Sequence, residues 1–116
     1  MTVEKCYEIM KGDYKDVLNR LSTDEKIKKA LLKLASDKSF VQLCNAMESR
    51  DYEEACTFAN ALKSLSKNLS ITALTYSTSN LAEALRDSDI SVEAVEPLFK
   101  KVKRDYALTM ASIQLL

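Results

Sequence analysis

Glycine and proline each occur once in this 116-residue chain, at Gly12 and Pro97. Both are the residues that tight turns demand, glycine for backbone at positive φ and proline for its fixed φ. A β-rich domain of this length needs many such turns. Their scarcity leaves long helices joined by short connections, and the expectation is an all-α fold. Hydrophobic residues make up 47% and charged residues 29% of the chain, enough apolar surface to build a core and too much for a disordered segment. The length suits a single domain that needs no staples.

Charge and cysteine content remove several function classes. Lys+Arg and Asp+Glu each total 17, so the formal net charge is zero and a basic nucleic-acid binder is not expected. Cys6, Cys44 and Cys56 form an odd set without a CxxC pair, and the chain has no histidine, so neither a structural zinc site nor another metal or cofactor is expected. The thiols read as reduced side chains packed in a cytoplasmic protein. The opening MTVEKCYEIM is charged from Glu4 onward and does not read as a signal peptide. No window reaches the roughly 20 apolar residues that cross a bilayer. A soluble protein without a membrane partner is the expectation.

Hydrophobic spacing divides the chain into helices. Val3, Tyr7 and Met10 share a face; Gly12 is expected to take the left-handed conformation that ends this helix, with Asp13 capping the next, from about Tyr14 to Leu21. Ser22 and Glu25 match a capping box for a helix carrying Ile27, Leu31 and Leu34. Phe40, Leu43, Cys44 and Met47 repeat at i, i+3, i+4, i+7. Asp51 caps a helix from Tyr52 to about Leu69, and Ser70 is expected to cap another from Ile71 to about Asp87, with Leu74, Thr78, Leu81 and Leu85 inward. The last seam runs through Val92, Val95, Phe99, Val102, Tyr106, Thr109 and Ile113; Pro97 either kinks that helix or lies in its first turn. Four helices beginning near residues 39, 51, 71 and 91 imply an antiparallel up-down four-helix bundle over 37–116. Residues 1–36 form a cap of short accessory helices, all within one domain. Phe40, Phe58, Tyr76, Phe99 and Tyr106 read as core or boundary residues. The run Lys100-Lys101-Val102-Lys103-Arg104 reads as a solvated face around an inward Val102.

The helix over 52–69 is the informative one. At about 100° per residue, Ala55, Phe58, Ala59, Leu62, Leu65, Ser66 and Leu69 fall on the core side. Asn60 and Ser64 lie almost opposite, Thr57 and Lys67 flank them, and Cys56 and Lys63 sit nearer the boundary. Small polar residues at the centre of an exposed face, with two lysines beside them, leave room for another surface to approach.

Ala59-Asn60-Ala61-Leu62-Lys63-Ser64-Leu65-Ser66-Lys67-Asn68-Leu69-Ser70-Ile71 resembles the pattern A-H-x-L-K-G-x-x-x-N-L-G-L of histidine-phosphotransfer domains, found on the second helix of their four-helix bundle. Ser64 and Ser70 stand where that family has glycines, and Ile71 replaces leucine. Leu81-Ala82-Glu83-Ala84-Leu85-Arg86 is similar to the family's third helix. The resemblance covers roughly residues 37–115. It implies a bacterial-type two-component phosphorelay, with a response-regulator receiver domain or a histidine kinase as partner, a surface of Cys56, Thr57, Asn60, Lys63, Ser64 and Lys67, and a monomer.

The family's phospho-accepting position is occupied here by Asn60. Relay chemistry needs an imidazole nitrogen as nucleophile and a nearby cation. An amide nitrogen has its lone pair delocalised into the carbonyl, so Asn60 cannot accept a phosphoryl group, although Lys63 remains to pair with an anion. No catalytic residue is expected, and the chain reads as an interaction module rather than an enzyme. Two further readings remain: a bundle whose surface has drifted to an unrelated partner, and phosphotransfer or redox chemistry at Cys56 or Ser64.

Overall fold

The structure is a computed structural model describing residues 1–116, and it contains seven helices and no strand. They are α1 (Val3–Met10), α2 (Tyr14–Leu21), α3 (Asp24–Ala35), α4 (Ser39–Glu48), α5 (Tyr52–Asn68), α6 (Thr72–Leu85) and α7 (Val92–Gln114). No helix is long and apolar enough to cross a membrane.

Most helix starts are set by a short polar side chain. Thr2, Asp13, Thr23, Asp51 and Ser91 each accept from the backbone N–H three residues on, at 3.1–3.2 Å, which satisfies a donor the helix itself leaves free. Thr23, not Ser22, therefore opens α3. An N-cap needs extended backbone, which Thr23 has at φ −136° and ψ 153°, whereas Ser22 turns to φ 78° and closes α2. Gly12 likewise does not end α1 by a left-handed turn. Lys11 takes that role at φ 59°, and Gly12 has no positive φ. Glycine is needed at position 12 for space: a Cβ there would lie 2.7 Å from the Tyr7 ring and 2.8 Å from the Ser70 carbonyl oxygen.

Ser70 does not cap α6. It sits at φ 55°, its hydroxyl donates to Asp16 Oδ2 and accepts from Arg20, and no side chain caps α6. The donor at Ala73 N instead meets the Lys11 carbonyl at 3.2 Å. Pro97 lies inside α7, in its second turn. Ser91 opens the helix six residues earlier, so a start near Glu96 is ruled out.

α4 packs on α5, α5 on α6 and α6 on α7, through connections at 49–51, 69–71 and 86–91, while α1 and α3 pack on α7. Ala55, Ala59 and Ser66 are all buried on α5, and their small size lets α6 approach closely. α4 meets α7 through Phe40 and Tyr106, whose rings stack at 3.8 Å. One apolar cluster draws residues from all seven helices. The molecule is elongated, 44 × 21 × 18 Å.

Hydroxyls buried between α5, α6 and α7 are satisfied within their own helices. Ser66, Thr78, Thr109 and Ser112 donate to carbonyls one turn earlier at 2.7–3.1 Å. Asp105 is the exception: one carboxylate oxygen is buried without a partner, and the other lies 3.7 Å from Lys101 Nζ. The N-terminal helices are fastened to the α5–α6 turn by polar contacts. Tyr7 donates to the Leu69 carbonyl at 2.7 Å, Asp13 N donates to the Ser70 carbonyl at 2.8 Å, and Arg20 reaches the Lys67 carbonyl at 3.2 Å.

Candidate functional site

Burial of Ala55, Ala59, Leu62 and Ser66 fixes the rotation of α5 and so decides what it shows to solvent. Thr57, Asn60, Ser64 and Lys67 are exposed, and Cys56 and Lys63 are half-buried on the flank facing α6. All six residues singled out from the sequence thus lie along one side of one helix. The order along it is Cys56-Thr57, then Asn60, then Lys63-Ser64, then Lys67.

Cys56 links this face to α6, with its Sγ 3.6 Å from the Ala82 carbonyl oxygen. Asn60 Nδ2 in turn donates to Cys56 Sγ at 3.6 Å, a weak contact that leaves the amide oxygen free to accept. Thr57 Oγ1 bonds back to the Glu53 carbonyl at 3.3 Å. Neither Lys63 nor Lys67 is in an ion pair. Both ammonium groups are therefore available to an incoming anion, at the low energetic value of exposed charges.

Two concavities flank the row. One, of about 590 Å³, lies beside Asn60 and is completed by Glu53, Leu85, Arg86 and Ile90. The other, of about 370 Å³, lies at Lys67 and is walled by Asp13, Asp16 and the hydroxyl-bearing residues of the first two turns of α6. The α6 and α2 contributions were invisible in the sequence, because nothing in it gives the rotation of α6 against α5 or the docking of α2 on the α5–α6 turn. Arg86 lay inside the matched stretch 81–86, so its presence was legible although its place beside Asn60 was not. Tyr76 departs from the core or boundary role expected of it: it is 69% exposed at the mouth of the smaller concavity. Phe99 is buried, and Phe40, Phe58 and Tyr106 are half-buried, as their spacing indicated.

Ser64 and Asn60 are exposed on the same side, and the residues one turn away, Cys56, Thr57, Lys67 and Asn68, include no carboxylate that could act as base. No group of three or more His, Cys, Asp or Glu side chains is placed to hold a metal ion. Burial pushes the Cys6 thiol up to about 11 and raises Cys44 as well, so both stay protonated and unreactive at neutral pH. Neither family models, nor curated proteins, nor solved structures contain a match to this chain.

Proposed function

We propose that α4–α7 form an antiparallel up-down four-helix bundle of the histidine-phosphotransfer type, with α1–α3 as accessory helices. In this reading the chain is a non-phosphorylating signalling module that docks a response-regulator receiver domain or a histidine kinase through α5. One observation carries the reading. Asn60 stands exposed at mid-helix with Lys63 and Lys67 beside it, at the register where the resembled pattern has its phospho-accepting histidine. A receiver's active face is a cluster of carboxylates, and two lysines without ion-pair partners complement it. Because the amide at position 60 is not nucleophilic, the partner would be held and its phosphate left in place.

Titration calorimetry against receiver domains and kinases of the same organism tests this. Binding is expected, and Lys63→Glu is expected to weaken it at least about tenfold by placing like charges together. Absence of binding to every receiver and kinase would overturn the reading. A second experiment uses Asn60→His: phosphoryl transfer onto the variant, read by intact mass, is expected if the docking surface is intact.

The departures from the resembled pattern at Asn60, Ser64 and Ser70 favour a second reading, a helical bundle whose α5 face has drifted to an unrelated protein partner. A folded but inert Asn60→His variant would support it. Covalent chemistry at Cys56 or Ser64 predicts a mass increase on wild type after incubation with a phosphorylated receiver, and an unmodified mass removes that possibility.

A further inference from the structure

The exposed edge of α5 reads Glu53, Thr57, Asn60, Ser64, Lys67, spaced four, three, four and three residues apart, and all five are exposed. Such a heptad-like stripe is the geometry by which helices run alongside one another, normally filled by apolar residues that bury each other. Here it is polar and antisymmetric. Glu53 lies seven residues before Asn60 and Lys67 seven after, each about 10 Å from it along the axis at the usual helical rise.

From this stripe we infer that α5 pairs with α5 of a second copy of the chain, antiparallel, about a twofold axis passing at Asn60. Rotation about that axis sets Glu53 of each copy opposite Lys67 of the other, so two complementary pairs form at once, as in any isologous contact. Asn60 meets its own equivalent on the axis. An amide carries both donor and acceptor, so the two side chains satisfy each other reciprocally, and such a pair on a helix seam fixes register. Thr57 and Ser64 are small enough to let the two helices come within ordinary packing distance.

The charge distribution of the whole molecule points the same way. The end built from residues 48–54 and 83–96 is dense in carboxylates, with Arg50 and Arg86 as its only cations, and none of its side chains is in an ion pair. The chain is neutral overall, so the remainder carries the balancing positive charge. The antiparallel arrangement lays the acidic end of one copy beside the half of α5 bearing Lys63 and Lys67 in the other. A parallel arrangement would set the acidic ends together. The monomer expected from the sequence gives way, in this proposal, to a weak, salt-sensitive pair. The inference rests on charge and spacing alone and stands whether or not a receiver domain binds; where both hold, pairing covers Asn60 and only the free monomer docks.

Sedimentation velocity of the full chain tests it. At low salt the wild type is expected to shift from monomer to dimer with rising concentration, and high salt is expected to return it to monomer. Glu53→Lys and Lys67→Glu should each weaken pairing by about tenfold, since each places two like-charge contacts in the dimer. The double change Glu53→Lys with Lys67→Glu restores complementarity and should recover most of the loss. Asn60→Asp sets two carboxylates face to face on the axis and should abolish association. Far-UV circular dichroism verifies that every variant stays helical, as expected for exposed positions. Three outcomes overturn the proposal: a wild type that stays monomeric at low salt up to millimolar concentration, association indifferent to salt, or a double variant no tighter than either single one. Charges placed only to complement the dipole of α5 give the first outcome, because that effect acts within one copy.

Discussion

Gly12 shows how a single position can be read correctly as special and for the wrong reason. Its uniqueness marked a constraint, and positive φ was the obvious one to expect, but the constraint is contact: the buried Tyr7 ring and the Ser70 carbonyl leave no space for a Cβ. Gly12→Ala is therefore expected to destabilise the fold by about 1–3 kcal/mol, the usual cost of forcing a methyl group into packed surroundings, measured by thermal or urea unfolding. The neighbouring cap offers a paired comparison. Thr23→Ala should cost about 1 kcal/mol through loss of the hydrogen bond to Lys26 N. Ser22→Gly should gain up to about 1 kcal/mol, because Ser22 occupies φ 78°, where a side chain is strained. If Ser22 were the cap, as the capping-box pattern implied, Ser22→Ala would be the costly change. Ser22 and Thr23 could not be ranked from sequence, since both carry a hydroxyl and the choice depends on where α2 stops.

At the level of elements, the inward stripes were legible almost to the residue. Val3, Tyr7 and Met10 on α1, Ile27, Leu31 and Leu34 on α3, and Leu74, Thr78, Leu81 and Leu85 on α6 are all buried, as a period of 3.6 requires. The outward placement of Asn60 followed from the same arithmetic. How one helix meets another was not legible, because periodicity gives a face and not a partner. Thus the Asp16–Ser70–Arg20 contact and the Tyr7 hydroxyl on the Leu69 carbonyl, which fasten α1 and α2 to the α5–α6 turn, left no trace in the local pattern. Tyr7→Phe removes a buried hydrogen bond and leaves a carbonyl without its donor, an expected loss of about 1 kcal/mol. Hydrogen exchange should then quicken in α1 and at residues 69–73 ahead of α7, since the fastening there is polar and local. Uniform acceleration along the chain would show instead that the N-terminal helices and the rest open together.

Across the whole molecule, the continuous core couples stability to the state of its buried titratable groups. The unfolded chain loses the Cys6 proton near 9.0, whereas burial holds it on the folded chain to about 11. Between those values the folded state binds more protons, so the contribution of this thiol to stability is constant below about pH 9 and is lost as pH rises through this window. Tyr7, raised by burial and then by the nearby Cys6, acts in the same direction at still higher pH. Melting temperature measured from pH 8 to 11 should therefore decline, and Cys6→Ala should make the decline shallower even though its starting point is lower. The start of α6 carries one more implication. Its donor at Ala73 is answered by the Lys11 carbonyl, and the Tyr7 hydroxyl lands on Leu69, 62 residues away. As the polypeptide leaves the ribosome, α1 and α2 emerge ahead of the 69–73 turn to which these bonds fasten them. Tyr7 on α1 must wait for a partner made 62 residues later, and the α1–α7 contact, which spans a longer stretch still, forms only after that.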